Sequence, residues 1–121
     1  MTIVLFTNDL MFQSRIAAAV RNAGGELMVA RSLESLPSRL ADREPLMIVF
    51  DLSFAGIDLP ATTAAMRERF PDAKQLAYGP HVDVERLQQA TVLGIDEVLT
   101  RGQFDRDMTT IFSNITPRPS T

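Results

Sequence analysis

Asp51 lies near the end of the most apolar run of the sequence, Leu46 to Leu52 (LMIVFDL). A carboxylate shielded in this way can serve as the nucleophile of phosphoryl transfer when a metal stands beside it, and otherwise only closes a strand. Other polar groups cluster at comparable places. Asn8 and Asp9 follow the apolar run Thr2 to Thr7 (TIVLFT), the stretch from Tyr78 to Asp83 (YGPHVD) holds the only tyrosine and the only histidine, and Arg101 follows a last apolar run. An imidazole can carry a proton and a positive charge, so His81 with Arg101 could bind a small anion or donate a proton. The other reading is structural: Gly79-Pro80 makes a turn, Asp83 caps a helix and His81 is a solvated loop residue. Arg101 presents a planar fork suited to a carboxylate, so it either bridges to Asp51 and ties two strand ends together or stands exposed in a helical first turn.

Much other chemistry is excluded. Zero cysteines remove thiolate catalysis, disulfides and cysteine-held zinc or iron-sulfur centres, and one histidine leaves no multi-histidine metal site within a chain. No Gly-rich phosphate loop, nucleophile elbow or metal-spaced motif occurs. The 121 residues are 45% hydrophobic and 22% charged, the balance of one domain at roughly 100 to 200 residues each. With 15 acidic and 12 basic residues the net charge is −3, so no basic field draws the chain to nucleic acid or anionic lipid. No leader-like start and no apolar stretch near the roughly 20 residues of a membrane span is present, which predicts a cytoplasmic protein.

The elements that must position these groups follow from hydrophobic period. Thr2 to Thr7 is an unbroken strand buried on both faces, after which Asn8 or Asp9 caps a helix with Phe12, Ile16 and Val20 on one stripe and Gly24-Gly25 as its stop. Glu26 to Ala30 is a weaker strand, and Ser32 or Ser35 starts a short helix using Leu33, Leu36 and Leu40, with Pro37 in its first turn. The central strand Leu46 to Leu52 leads through a loop to a helix with Pro60 near its start and Met66 and Phe70 inward, ended by Pro71-Asp72. Lys74 to Tyr78 is a fourth strand. Asp83 then caps a helix with Val84, Leu87 and Ala90 or Thr91 inward, stopped by Gly94. Asp96 to Thr100 is a fifth strand, and a last helix carries Phe104, Met108, Ile111, Phe112 and Ile115 on one stripe. Met11 with Phe12 and Met108 with Phe112 read as core packing. Residues 1–115 form the predicted domain and 116–121 (TPRPST) a flexible C-terminal tail.

Strands and helices alternating five times predict an α/β three-layer fold, a doubly wound parallel sheet with helices on both faces. The flavodoxin-like strand order 2-1-3-4-5 is the commonest at this length, and its crevice lies beyond the strand C-termini between the first and third strands. Asn8, Asp9 and Asp51 should meet at that edge.

Three motifs carry a family resemblance across residues 2 to 115: the acid-bearing third strand (IVFDL), the helix end LGIDEVLT, and the fifth strand closing on TRGQF. On these the chain resembles the CheY-like receiver domain of two-component response regulators. The resemblance implies a phosphoacceptor at Asp51, magnesium held by that residue and two acids after the first strand, a hydroxyl after the fourth strand, and a lysine after the fifth. Gly79, fifteen residues before Gly94, stands where the family has its hydroxyl, and Arg101-Gly102 replaces Lys-Pro. Val98 takes the place that often carries a mobile aromatic. The acid pair aligns as Thr7-Asn8 or as Asn8-Asp9, losing at least one carboxylate, so a magnesium site on Asp9 and Asp51 would be weak.

The expectation is a degenerate, stand-alone pseudo-receiver without enzymatic activity. It acts through a protein partner or as a homodimer, using the region from the fourth to the fifth helix, as single-domain receivers do. The alternatives are a phosphoryl-accepting receiver using Asp51, and a small-anion binder at His81 and Arg101. Pocket residues are expected to be Asn8, Asp9, Gly79, His81 and Arg101, with no cofactor beyond weak magnesium.

Overall fold

The structure, a computed structural model, describes residues 1–40 and 42–115. The predicted tail over 116–121 lies outside the described residues. In chain order the elements are β1 (Thr2–Phe6), α1 (Leu10–Asn22), β2 (Glu26–Ala30), α2 (Leu36–Leu40) and β3 (Pro45–Asp51). They continue with α3 (Leu59–Arg69), β4 (Lys74–Gly79), α4 (Val84–Val92), β5 (Glu97–Thr100) and α5 (Arg101–Ser113). The strands form one parallel sheet in the order β2-β1-β3-β4-β5, which is the predicted α/β flavodoxin-like topology.

Continuous apolar runs become central strands because both faces of the sheet are covered. Every residue of β1 is buried, and β3 is buried except at Leu46. On one face, β1 and β3 pack Val4, Phe6, Ile48 and Phe50 against Leu36, Leu40, Leu59, Met66 and Ala90 of α2, α3 and α4. On the other, Ile3, Leu5, Met47 and Val49 meet Phe12, Ile16 and Val20 of α1 and Phe104, Met108 and Phe112 of α5. Alternation along each strand therefore serves two cores.

Helix starts are fixed by side chains that satisfy free N–H groups. Asp9, not Asn8, caps α1 by accepting from Phe12 N at 3.1 Å. Asp58 caps α3 and Asp83 caps α4, while Thr100 and Gln103 form a capping box at α5. Gly24 and Gly94 follow α1 and α4 with φ of 85° and 83°, conformations in which a Cβ is strained.

Several expectations need correction. Met11 is 84% exposed, because the stripe of α1 is Phe12, Ile16 and Val20 and its neighbour falls about 100° off that stripe. Val84 and Thr91 on α4 also face solvent, leaving Leu87 and Ala90 as the inward pair. The short helix α2 starts at Leu36, so Leu33 packs from the preceding bend, where Ser32 Oγ accepts from Ser35 N. Strand bounds move by a residue: β1 stops before Thr7, β3 runs from Pro45 to Asp51, β4 includes Gly79 and β5 begins at Glu97.

Candidate functional site

Parallel register brings three strand ends together at the C-terminal edge of the sheet. Asp51 ends β3, Tyr78 pairs with it on β4, and Thr7 follows the last residue of β1. Asp51 is 5% exposed and both of its oxygens are occupied: Oδ2 accepts from the Thr7 hydroxyl at 2.7 Å and Oδ1 from Ser53 N at 2.9 Å. Thr7 Oγ1 in turn accepts from Asp9 N at 3.1 Å. A hydroxyl carries one proton, and Thr7 spends it on Asp51. Thr7, not Asn8 or Asp9, is thus the residue set against Asp51, and Asn8 is exposed.

Tyr78 fills the space beside this group. Its ring stacks on Phe104 at 4.8 Å and 15° and is tilted against Phe12 at 5.2 Å, and the residue is 1% exposed. The buried hydroxyl has no hydrogen-bond partner among the described residues. Burial pushes its pKa well up, and the nearby negative charge of Asp51 adds to the rise.

Of the two readings of Arg101, the bridge to Asp51 is not formed and the exposed place in the first turn of α5 is the one observed. Arg101 Nη2 pairs with Asp9 Oδ2 at 3.1 Å, and the guanidinium carbon lies 4.2 Å from the centroid of the Phe12 ring. The reason is positional. Thr100 caps α5, so Arg101 is its first residue with a side chain 48% exposed, and the carboxylate it meets is the α1 cap. Asp51 is buried and bonded to the equally buried Thr7. The bond from Phe12 N and the charge of Arg101 hold the Asp9 carboxyl below its ordinary value against some opposing desolvation.

Gly79 is buried at the end of β4, and a Cβ added there would stand 3.0 Å from Leu52 Cβ. Close approach explains the glycine, and no hydroxyl occurs at this place. Val98 of β5 is partly buried against the α2–α4 core. His81 is exposed and shares with Arg101 a cleft of about 400 Å³, completed by Phe12, Pro80, Gly102 and Asp105. His81 and Arg101 are therefore brought together, whereas Asp51 does not line that cleft. Thr7 and Tyr78 are the residues that the candidate set missed. Thr7 was visible as one member of an ambiguous register, and Tyr78 as the residue before a turn.

The donors at this edge do not fit magnesium. A hard dication needs about six oxygens, but Asp51 is engaged by Thr7 and Ser53, while Asp9 already holds a cation, Arg101, and the N–H of Phe12. No group of three or more His, Cys, Asp or Glu able to hold a metal occurs among the described residues.

No protein-family model matches the sequence. No curated protein matches it either. Solved structures do match in fold. A response regulator in red light signalling of R. palustris superposes with a TM-score of 0.75 at 12% identity, covering 98% of this chain and 99% of that one. The receiver domain of NtrX from Brucella abortus gives 0.74 at 16% identity, over 92% and 93%. A response regulator from Burkholderia pseudomallei, solved with a phosphorylated aspartic acid, a calcium ion and citrate, gives 0.74 at 16% identity. That match covers 95% of this chain, which spans only 66% of the Burkholderia protein. The chain has the fold of response-regulator receiver domains.

Proposed function

We propose that this chain is a degenerate receiver-like signalling module of a bacterial, cytoplasmic two-component type, working through protein contacts without phosphorylation and without turnover of its own. One observation carries the reading. The Asp51 carboxylate is already occupied by the Thr7 hydroxyl and the Ser53 N–H, with no second carboxylate set against it. Phosphoryl transfer to an aspartate needs a metal to neutralise the incoming oxygens, and this edge offers none a fitting place.

The contact face is the region from α4 to α5. Val84 and Val92 of α4 are 56% and 85% exposed, and a shallow groove between α4 and β5 mixes Val84, Leu87, Val98 and Leu99 with the polar Gln88, Thr91, Thr100 and Gln103. Exposed apolar surface of this kind marks association sites, with a protein partner or a second copy as the occupant. Among the described residues no helix is long and apolar enough to cross a membrane.

The rival reading is a phosphoacceptor at Asp51, favoured by its place at the end of β3 and by the phosphorylated aspartic acid of the Burkholderia neighbour. Incubation with acetyl phosphate in excess magnesium, read by intact mass with Asp51→Asn as control, separates the two. We expect no adduct; stoichiometric modification that disappears in Asp51→Asn establishes the rival. A small-anion binder is the third reading, supported by the cleft that His81 and Arg101 share. Titration with inorganic phosphate, followed at the amides of residues 80–82 and 101–103, tests it.

A further inference from the structure

The β4–α4 connection has a second anchor besides the sheet. Arg86 sits in the first turn of α4, where its own N–H is capped by Asp83 at 3.3 Å. A cation there opposes the helix dipole, whose positive end lies at the N-terminus. Its placement needs a compensating contact, and the structure supplies one. Arg86 Nε donates to the Leu52 carbonyl at 3.2 Å, across 34 residues of chain, and Nη1 donates to Gln89 Oε1 at 3.0 Å. Gln89, one turn on, holds the guanidinium plane so that Nε faces the loop after β3.

Leu52 is the other half of the joint. It is 2% exposed, its N–H donates to Tyr78 O at 2.9 Å, and its side chain packs where a Cβ of Gly79 would be. The end of β4, the loop after β3 and the start of α4 therefore share one residue as their meeting point. From this geometry we infer that Arg86 is a positioning residue that staples α4 to Leu52, holding the α4 face with Val84 and Val92 in one position against the loop after β3.

The staple goes beyond the proposed function and does not depend on it, since it requires nothing of the Asp51 carboxylate. Amide hydrogen exchange on the full chain tests it in wild type, Arg86→Ala and Arg86→Lys. Loss of one hydrogen bond from a charged donor should speed exchange in residues 84–92 by about tenfold or more, leaving β1 and β3 amides unchanged. Arg86→Lys, which keeps a charged donor on a long stem, should recover part of that protection. Two results overturn the inference: unchanged exchange over 84–92 in Arg86→Ala, or equal acceleration at every amide, β1 and β3 included, which reports only lost global stability. An Asp51 adduct with acetyl phosphate would sink the proposed function and leave this result standing.

Discussion

The β1–β3 edge and the α4–β5 edge end the same sheet in opposite ways. At the first, all of β1 is buried and the polar groups are consumed by one another, Thr7 by Asp51 and Asp9, Asp9 by Arg101. At the second, all four residues of β5 are only half-buried, and α4 presents Val84 and Val92 to solvent. The difference separates two capacities. Reaction needs accessible polar groups, and at the first edge Asp51 and Thr7 are buried while Asp9 is paired with Arg101. Association needs apolar surface that the fold leaves uncovered: Val84 and Val92 expose some at the second edge, and Leu10 and Met11 expose some at the start of α1. The fold, shared with receiver domains, fixes where both edges are, while the residues decide their chemistry.

The largest test of this contrast is removal of an aromatic under the closed edge. Phe104 is fully buried and touches Tyr78, Phe12 and Phe112 at centroid distances of 4.8, 6.1 and 6.0 Å. Phe104→Ala should cost about 3 to 5 kcal/mol in urea melts, against less than about 0.5 kcal/mol for Val92→Ser on the open edge. Comparable losses would erase the distinction. Thr7→Val comes next, because it keeps the shape but leaves the buried Asp51 carboxylate one donor short. Its expected cost is about 1.5 to 3 kcal/mol, and an Asp51→Asn background should recover much of it, since the charge is then gone.

How far the sequence reveals these edges depends on the kind of signal. The strands were legible because runs such as TIVLF and MIVF have no polar interruption, and the α4 cap because Asp83 precedes an amphipathic stretch, whereas the caps Asp58 and Thr100 were missed. Asp9, Asp51 and Arg101 were correctly drawn to one edge by strand order alone. Their pairing was not legible, because it depends on burial: Asp51 is buried against Thr7, while Asp9, the cap of α1, and Arg101, the first residue of α5, are both partly exposed. Tyr78 was hidden for a different reason. It reads as the last residue of the fourth strand, but a strand position does not say what the ring meets, and the ring enters the α1–α5 core. Met11 shows the same weakness, since adjacency to Phe12 says nothing about helical phase.

A smaller effect with an unusual sign sharpens the picture of the closed edge. Tyr78→Phe removes a hydroxyl that is buried without a partner, so it should leave stability unchanged or raise it by up to about 1 kcal/mol. A loss of more than about 1 kcal/mol would mean that the hydroxyl is bonded in solution, and the edge would then hold a polar network with one more member.

A further modest effect concerns the pair that forms in place of an Arg101–Asp51 bridge. Arg101 and Asp9 are both partly exposed, with side chains 48% and 31% accessible, so solvent screens their attraction. Arg101→Ala should cost about 0 to 1 kcal/mol for the ion pair and about 0.5 to 1 kcal/mol for the contact with the Phe12 ring. Double-mutant cycles locate the partner: Arg101→Ala should be additive with Asp51→Asn and non-additive with Asp9→Asn, a substitution that retains a good helix cap. The pH dependence supplies a second check. The folded-state pKa of Asp9 is lowered, so its contribution is fully present above the unfolded carboxylate value of about 3.9 and is lost as pH falls through the folded value. Coupling between Arg101 and Asp9 should therefore be measurable at pH 7, shrink with added salt, and vanish in acid once Asp9 is protonated. Coupling to Asp51 above about 1 kcal/mol at pH 7 would instead place the guanidinium over the buried carboxylate, and the division of the two edges would have to be redrawn.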